Sequence, residues 1–406
     1  MVIRGVISMN AELLQGLKVI EIGDELTQYT GKLLANMGAE VIKIEPLEGV
    51  NSRRVRPFYK DEFDINQSLY FWHYNTNKKS VRIDITLEEN KEEVYKLISG
   101  ADVVLDGNKP GELKKYDLDY HSLKKLFPEL IYCSITPFGQ DGPWKDYKFS
   151  DLTQLALGGI MHATGYDDVP NSPPIAPTGG QSVHLAGHFA MISILTAVLH
   201  KDIFNEGQFI DISTHECITT STEMSIPYWE YREESVIRQT GRHGLPHFST
   251  PFNVKCKDGK YVICLMLYFT GDRWKRLVEW LDSHNMAFDL TDKKYEDNVY
   301  RAKNKLHIFE VIERFCAQHD SDYIVETAQS YQFPWALIRA PEDMLKDKHI
   351  FEDRDAFVKI NHPEINESFY YPGPPVKFNK TPLKINKRAP LLGEHNSELL
   401  EMSKVL

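Results

Sequence analysis

The residues most suggestive of chemistry lie between Ser134 and Gln154. An apolar strand pattern ends near Ile135, a loop rich in Pro and Gly follows (PFGQDGP), and Asp151 then begins a segment typical of a helix. An acid at this point can be a helix N-cap, or a first-turn acid stabilised by the helix dipole. It can also be an ionised carboxylate at the mouth of a sheet, available as a nucleophile. The residues alone leave both interpretations open.

Several common catalytic motifs are absent from the sequence. It contains no GxGxxG or GxxxxGK[ST] turn, which argues against a dinucleotide dehydrogenase or a P-loop NTPase, and it contains no HExxH or GxSxG. The five Cys are widely spaced and include no CxxC pair. This number and spacing favour free thiols in a reducing compartment over a zinc or disulfide framework, so we expect no metal site.

The elements that must position Asp151 alternate between strand and helix patterns. Short Val/Ile-rich runs predict strands, and the segments between them predict helices. This alternation is typical of an α/β fold, a Rossmann-like parallel sheet covered by helices, in which ligands bind beyond the carboxyl ends of the strands. The predicted strands are 17–22, 40–45, 81–85, 102–105, 130–135 and 207–213, and the predicted helices are 31–37, 88–99, 120–127 and 185–199.

The second part of the chain has a different pattern from about Thr222 onward. Asp258-Gly259 separates two short β-type runs, 253–257 and 261–266, and predicts a hairpin. We therefore predict a large α/β domain with a smaller α+β domain inserted in it. The predicted ranges are 11–205 for the first part of the large domain, 225–335 for the small domain and 345–406 for the C-terminal segment that completes the large one.

Composition limits the partners that the chain can have. It has 406 residues, with 47 Lys and Arg against 58 Asp and Glu, a net charge of −11. This balance argues against nucleic acid or an anionic membrane as the main partner, although a local cluster of cations can still bind a small anion. The longest apolar run, 185–199, is shorter than the ~20 residues of a membrane span and predicts a buried helix. Residues 1–10 lack a signal-peptide pattern, so we expect a cytoplasmic protein.

Motifs spread over nearly the whole chain resemble those of the class III CoA-transferases, the family of the formyl-CoA and carnitine CoA-transferases and the related α-methylacyl-CoA racemases. Each motif alone is weak, but their joint order from Leu14 to His395 is specific. The motifs are LQGLKVIEI (14–22), MGAEVIKIE (37–45), NTNKKS (75–80), ADVVL (101–105), KPG (109–111), PFGQDGP (137–143), GQ and DI (207–208 and 211–212) and PLLGEH (390–395).

The resemblance implies a role for Asp151. In the family an aspartate closely followed by Gln or Tyr carries the acyl group, and Asp151 with Gln154 matches that position. The chain would then move CoA from an acyl-CoA to a free carboxylic acid, through an aspartyl acyl-anhydride and an aspartyl-CoA thioester. Coenzyme A enters as a substrate and no metal is needed. The resemblance also implies an interlocked homodimer, or a heteromer with a paralogous chain.

The resemblance places the CoA contacts within or after predicted strands. The residues implied are Ile83, Asp84, Gly107, Asn108, Lys115 and Thr136. Lys115 stands where the family has an arginine, and a lysine keeps the charge but loses the bidentate geometry. Further cations near these segments are either CoA contacts or ordinary solvated surface charges, namely Arg53, Arg54, Arg56, Lys78, Lys79 and Lys114.

The sequence departs from the family pattern where CoA is expected to bind. Thr27-Gln-Tyr29 replaces the A-G-P of the first β-α turn, Asp106-Gly-Asn108 replaces E-N-F, and Pro46 replaces a basic residue. The acceptor acid is expected to be recognised by the stretch Tyr228–Phe252, which holds aromatic, Arg and His residues. These residues serve equally well as ordinary packing.

Two alternative functions remain. A racemase-like enzyme needs a second acid/base beside Asp151 to reprotonate the α-carbon, and none is identified because the nearby histidines are interpreted as packing or helix-surface residues. These are His162, His184 and His188. The other alternative is a non-catalytic subunit of a heteromeric transferase, which the retention of Asp151 disfavours.

Overall fold

A computed structural model of the chain describes residues 12–265 and 271–400. Parts of the predictions lie outside the described residues: 1–10, Ala11 at the start of the large domain, Met266 at the end of the hairpin, and 401–406. The described residues form two compact units. The first unit comprises 12–160, 177–222 and 347–400, and the second comprises 161–176, 223–265 and 271–346.

The strands, in chain order, are β1 (Lys18–Ile22), β2 (Glu40–Glu45), β3 (Lys79–Arg82), β4 (Val103–Asp106), β5 (Ile131–Thr136), β6 (Phe209–Ser213), β7 (Asn253–Lys255), β8 (Tyr261–Ile263), β9 (Ala336–Leu337), β10 (Phe357–His362) and β11 (Glu367–Pro372). The helices are α1 (Glu25–Asn36), α2 (Leu69–Tyr74), α3 (Lys91–Ser99), α4 (Tyr120–Leu126), α5 (Asp151–Leu157), α6 (Gln181–Phe204), α7 (Thr214–Thr219), α8 (Ser225–Arg232), α9 (Asp272–Asp282), α10 (Asn298–Lys303), α11 (Lys305–Cys316), α12 (Ser321–Ser330) and α13 (Asn396–Leu399).

The first unit contains a six-stranded sheet in the order β3-β2-β1-β4-β5-β6, and every neighbouring pair is parallel. The predicted α/β fold with a Rossmann-like parallel sheet is confirmed. Strand β1 has β2 on one side and β4 on the other, so the strand order reverses between β1 and β4. In open α/β sheets the crevice for a ligand lies at this reversal, beyond the carboxyl ends of the strands.

Alternate residues of each strand face opposite layers of helices. Because both faces are buried, the strand sequences are continuous apolar runs. On one face Val19, Val41 and Val103 pack against α1 and α6. On the other face Ile20, Ile42 and Val104 pack against α3 and α4. The sheet is therefore buried on both sides, and only its strand ends remain for function.

Two helices begin earlier than their sequence patterns predict. Helix α1 begins at Glu25 rather than near Gly31, because the polar residues of its first turn still form helical hydrogen bonds to Asp24. Helix α6 extends from 181 to 204, and by length and composition it is the one described helix that could cross a membrane. The helix was predicted to be buried, and the structure shows that only one of its faces is buried. Its exposed apolar residues are Phe189, Ile192, Leu199, Ile203 and Phe204.

The second unit has the α+β character that was predicted for the small domain. Its sheet has the order β7-β8-β9 and is antiparallel, with the hairpin turn at the predicted Asp258-Gly259. Helices α9, α11 and α12 supply the core, in which Trp280, Phe315 and Trp335 are buried. The predicted range 225–335 lies inside this unit, which also includes 161–176 and continues to 346.

Residues 347–400 of the C-terminal segment belong to the first unit. This segment contains an antiparallel hairpin of β10 and β11, a feature that the sequence did not indicate. The PLLGEH motif then runs beside β3. The amide of His395 donates to Ser80 O (3.1 Å), and the Asn396 side chain accepts from Arg82 N (2.8 Å) and donates to Arg82 O (3.0 Å).

Candidate active site

Asp151 is the first residue of α5, and Ser150 caps this helix. The Ser150 hydroxyl accepts a hydrogen bond from Thr153 N, and the Thr153 hydroxyl accepts one from Ser150 N, a reciprocal capping box. The interpretation of Asp151 as the N-cap is therefore wrong, because Ser150 already fills that position. Asp151 lies in the first turn, and its side chain is available for another interaction.

The loop after β5 places this helix at the carboxyl end of the sheet. Buried Gln154 donates its side-chain amide to Pro137 O (3.2 Å), which ties α5 to the PFGQDGP loop. The loop is held in turn by Gly139 N donating to Thr136 Oγ1 (2.9 Å) and by Gln140 N donating to Asp211 Oδ2 (3.0 Å). The PFGQDGP loop, held by the aspartate of β6, therefore fixes the position of the helix that begins with Asp151.

One oxygen of Asp151 is anchored to helix α6 and the other is open. Ser182 donates both its backbone N–H (2.9 Å) and its hydroxyl (2.6 Å) to Asp151 Oδ1. Ser182 is 1% exposed and lies in the first turn of α6. Asp151 Oδ2 accepts no hydrogen bond from any residue that the structure describes. The carboxylate is thus fixed by one oxygen while the other can attack a substrate.

A group of tyrosines and histidines lies beside this carboxylate. Tyr74 Oη and His184 Nε2 are 2.9 Å apart, and the Tyr29 ring lies 4.3 Å from the His184 ring, centroid to centroid. Burial, Tyr29 and the negative charge of Asp151 raise the pKa of Tyr74 to about 12. Burial and His188 lower the pKa of His184, and the charge of Asp151 opposes them. Tyr74 and His184 are therefore neutral hydrogen-bonding groups near neutral pH.

Glu25, at the start of α1, contributes a second carboxylate to this region. Burial raises its pKa, and the charges of Asp24 and Asp151 raise it further. Asp24 Oδ2 is already engaged, since it accepts a hydrogen bond from Ser52 N (3.0 Å). Glu25 is thus held closer to its protonated form than an exposed glutamate, because its charge is disfavoured beside Asp151.

Tyr29, a departure from the family pattern, packs on helix α6. A side chain at Gly187 would bring its Cβ within 2.7 Å of Tyr29 Cδ1, so glycine is required there for the ring to approach. The Tyr29 hydroxyl lies 3.4 Å from His188 Nε2. The altered first β-α turn is therefore accommodated inside the site by α6.

The strand-order reversal brings Gly107 and Asn108 next to the end of β1. Gly107 N and the Asn108 side chain both donate to Ile22 O, at 3.0 and 2.9 Å. A Cβ on Gly23 would lie 2.9 Å from Gly107 N, so the two turns approach closely only because Gly23 has no side chain. Buried Asp106 accepts from Asn108 N (2.8 Å), and burial raises the pKa of Asp106. The backbone at this crevice is fixed and close-packed.

The other predicted CoA residues are spread more widely. Thr136 ends β5, beside the end of β4, and it is buried. Ile83 and Asp84 follow β3, which is three strand spacings from β4, about 14 Å at the usual spacing of strands. The Ile83 side chain is in the core (6% exposed), and Asp84 Oδ1 accepts from Thr86 N (2.9 Å). The structure places Gly107 and Asn108 after β4 and Thr136 at the end of the neighbouring β5, whereas Ile83 and Asp84 follow the edge strand β3.

The candidate cations divide into buried and exposed groups. Arg53 and Lys78 are not solvated surface charges, and that interpretation is wrong for both. Arg53 forms a two-pronged ion pair with Glu45 (2.6 and 2.7 Å), and Lys78 pairs with Glu21 (2.7 Å), with none of these side chains exposed. Lys115 is exposed in a single helical turn after β4, and no described residue forms an ion pair with it. It remains available for a phosphate.

The second unit uses part of its suggested acceptor pocket for its own packing. The Arg242 guanidinium pairs with Asp167 (2.5 Å) and donates to Thr240 O (3.0 Å). Trp229 and Tyr231 of the same stretch are exposed. A pocket of about 250 Å³ lies at the amino-terminal edge of the first unit's sheet, near Glu40, and so is not part of the Asp151 site. No group of three His, Cys, Asp or Glu within 12–265 and 271–400 could hold a metal ion.

Comparison with known proteins agrees with the motif-based resemblance. Residues 14–396 match the family described as CoA-transferase family III. The chain is a member of this family. It is 30% identical to a succinyl-CoA:mesaconate CoA-transferase of Haloarcula hispanica, over 96% of each chain. It is 27% identical to subunit BbsE of the succinyl-CoA:(R)-benzylsuccinate CoA-transferase of Thauera aromatica, over 94% of this chain and 92% of that subunit.

The fold of this family III chain also has a counterpart among solved structures. A CAIB/BAIF family protein from Brucella suis has a similar crystal structure, with a TM-score of 0.80 and 28% identity over 95% of this chain and 98% of that one. The relatives are named as CoA-transferases, so the predicted enzyme class is confirmed. Their substrates are considered below.

Sequence reasoning missed Ser182 and Tyr74 beside Asp151, and it named His184 only as a packing or helix-surface residue. Ser182 is 31 residues beyond Asp151 in the chain, and only the fold brings the two together. A signal was present in Gly179-Gly180, a glycine pair with positive φ directly before α6, which is typical of a turn that sets a helix start close to another group. Tyr74 and His184 carried no such signal.

Proposed function

We propose that this family III member transfers CoA from succinyl-CoA to a short dicarboxylic acid, with Asp151 as the nucleophile. The observation that carries the proposal is the Asp151 carboxylate at the carboxyl edge of the sheet, with Oδ1 bound by Ser182 and with no described residue donating a hydrogen bond to Oδ2. The names of two relatives give succinyl-CoA as donor and mesaconate or (R)-benzylsuccinate, both dicarboxylates, as acceptor. Exchange of one thioester for another needs no ATP.

In the proposed reaction, Oδ2 of Asp151 attacks the thioester carbon, the C–S bond breaks and CoA thiolate leaves. The thiolate then attacks Cγ of Asp151, the Cγ–Oδ2 bond breaks, and succinate departs with that oxygen. The acceptor carboxylate next attacks the aspartyl-CoA thioester and releases CoA thiolate again. Attack of this thiolate on the acceptor's acyl carbon yields the new acyl-CoA and restores the Asp151 carboxylate.

We place CoA across the strand-order reversal, near Gly107, Asn108 and Thr136, because a parallel sheet binds ligands at this point. Backbone groups there can lie close to the ligand, since the turns carry glycine. Lys115, exposed and unpaired among the described residues, would meet a CoA phosphate. Ile83 and Asp84 follow the edge strand β3. They would therefore contact CoA only if one part of the CoA molecule extends to that edge of the sheet.

The assembly we propose is the interlocked homodimer or a heteromer of the family. Helix α6 supports an interface, because it exposes Ile192 (57%), Leu199 (64%) and Ile203 (71%) along an apolar face. One relative is named as a subunit, which keeps the heteromer open. A cytoplasmic location is proposed from the sequence, and free Cys residues are consistent with a reducing compartment.

The test of this function is CoA transfer by the purified chain alone. Succinyl-CoA is offered with four- to six-carbon dicarboxylates and with monocarboxylates of the same lengths, and the new acyl-CoA is identified by mass. We expect transfer to dicarboxylates at a kcat/KM at least tenfold above the matched monocarboxylates. Equal rates would contradict the acceptor class, and no transfer without an added paralogous chain would identify a dependent subunit.

A second candidate function is racemase-like exchange of the α-proton. The observation that favours it is the position of His184 in α6, two residues after Ser182, which donates two hydrogen bonds to Asp151. His184 is thus the second acid/base that the sequence alone did not identify. Incubation of a 2-methylacyl-CoA in D₂O without any acceptor acid distinguishes the candidates. Deuterium at the α-carbon would favour the racemase, and none is expected for the transferase.

A further inference from the structure

We propose that Ser182 is a catalytic residue that stabilises negative charge on Asp151 Oδ1 when the aspartyl carbon itself is attacked. This inference rests on the proposed function, because it concerns the covalent intermediates on Asp151. When Cγ of Asp151 becomes tetrahedral, the N–H and the hydroxyl of Ser182 both donate hydrogen bonds to the oxyanion.

The two donors already converge on a single oxygen. Ser182 N lies 2.9 Å and Ser182 Oγ 2.6 Å from Asp151 Oδ1, which are distances of charge-assisted hydrogen bonds. The amide belongs to the first turn of α6, where N–H groups have no partner within the helix. The positive end of a helix of 24 residues therefore faces this oxygen as well.

The two oxygens of Asp151 must have different fates in the proposed reaction. Oδ2 has no hydrogen bond from a described residue, so it is the oxygen that attacks the donor thioester and becomes the bridge of the anhydride. Oδ1 then remains as the aspartyl carbonyl oxygen. When CoA thiolate attacks Cγ, the electron pair of the C=O bond moves onto Oδ1, and it returns as the Cγ–Oδ2 bond breaks and the donor acid leaves.

This geometry separates the steps that depend on Ser182 from those that do not. Attack on the substrate's acyl carbon places the charge on an oxygen of the substrate, whereas both Ser182 donors are directed at Oδ1. Attack on Cγ, by CoA thiolate or by the acceptor carboxylate, places the charge on Oδ1 both times. Loss of a preorganised donor at a developing oxyanion typically costs 10²–10³ in rate. Loss of the Ser182 hydroxyl is therefore expected to slow only the two steps in which Cγ of Asp151 is attacked.

The test measures which intermediate accumulates on Asp151. Wild type and Ser182→Ala are mixed with succinyl-CoA alone, quenched at short times, and the succinyl and CoA adducts of the intact chain are quantified by mass. For Ser182→Ala we expect the ratio of succinyl-enzyme to CoA-enzyme to rise by roughly 10²-fold, because thiolate attack on Cγ is slowed. Ser182→Thr keeps both donors and is expected to restore the wild-type ratio.

The control variant is Ser150→Ala, which removes the cap of α5 and loosens Asp151 without touching Oδ1. A purely structural role predicts that Ser182→Ala behaves like Ser150→Ala, with both adducts slowed equally and an unchanged ratio, and that result would overturn the inference. If wild type carries neither adduct on Asp151, the proposed function itself has failed. A cooperative unfolding transition of Ser182→Ala, with a denaturation midpoint near that of wild type, excludes misfolding as the cause of a changed ratio.

Discussion

Lys78 and Glu21 form an ion pair that is fully buried beneath the β1–α1 turn. Lys78 Nζ lies 2.7 Å from Glu21 Oε2 and also donates to Gln28 O (2.8 Å), while Lys43 pairs with Glu21 Oε1 (2.7 Å). The lysine of the family's NxNK motif therefore holds the backbone of α1 next to the site. Its role is to support the turn that carries Glu25 and Tyr29, and it is not free to bind a phosphate.

Removing Lys78 is expected to destabilise the fold strongly. Breaking a buried ion pair by deleting one partner typically costs 3–5 kcal/mol, since a buried charge is left with less compensation. We expect Lys78→Met to lower the free energy of unfolding by about 3 kcal/mol in urea titrations. The adjacent Lys79 is the matched control, because it pairs with partly exposed Glu40 and Glu398. Lys79→Met should cost at most about 1 kcal/mol, and equal costs would contradict this account.

The same cluster predicts how stability depends on pH. Burial alone would raise the pKa of Glu21, but the charges of Lys43 and Lys78 outweigh burial and hold it at about 2, below its ordinary 4.5. Because the folded pKa is the lower one, the stabilisation is complete above about pH 4.5 and is lost as the pH falls toward 2. The free energy of unfolding of wild type should therefore exceed that of Glu21→Gln by a margin that shrinks below pH 4.5. A margin independent of pH from 7 to 3.5 would contradict this.

Tyr29 and Gly187 are expected to be energetically coupled. A Cβ at residue 187 would lie 2.7 Å from the Tyr29 ring, so Gly187→Ala should lower stability by about 1–2 kcal/mol despite the better helix propensity of alanine. In a Tyr29→Ala background the clash is absent, and the same substitution should become stabilising by up to about 1 kcal/mol. The double-mutant cycle by urea denaturation measures this reversal. Additive effects would show that the ring does not occupy the space above Gly187.

Lys115 is expected to contribute to the affinity for acyl-CoA. Its exposed ammonium, placed after β4, would form a charge-assisted hydrogen bond to phosphate, an interaction worth about 1.5 kcal/mol or more. We expect Lys115→Ala to raise the KM for succinyl-CoA roughly tenfold with little change in kcat, and less so at high salt. Lys125→Ala, an exposed lysine at the end of α4, is the control. An unchanged KM for Lys115→Ala would remove this residue from the CoA site.

Much of the large domain could be predicted because its strands are short Val/Ile-rich runs between helices. Strand β2 was predicted with its observed bounds, and the other five strands within a few residues. The hairpin β10–β11 was missed, since its sequence has many polar and charged residues on the solvent side. Burial of Arg53 and Lys78 was also missed, because a sequence lists charges without showing which opposite charge they meet in the fold.

Only the part of the site that lies in one continuous segment of the sequence could be predicted. Asp151 was predicted as the nucleophile from its place after a strand and from the family motif, whereas its hydrogen-bond partner Ser182 becomes a neighbour only through the packing of α5 on α6. The same limit explains Ile83, which was predicted within a strand and lies directly after β3, and whose side chain belongs to the core. The sequence allowed us to predict which residues lie near strand ends, but it did not allow us to predict the directions of their side chains.

The most direct test of the central claim is the site of covalent labelling. The chain is incubated with isotopically labelled succinyl-CoA, the intermediates are reduced with borohydride, and the peptides are analysed by mass spectrometry. We predict a modification on Asp151 in wild type, none in Asp151→Ala, and a loss of CoA exchange of about 10³-fold or more in that variant, with an unchanged denaturation midpoint. Full exchange activity in Asp151→Ala, or a label on another residue, would contradict Asp151 as the nucleophile.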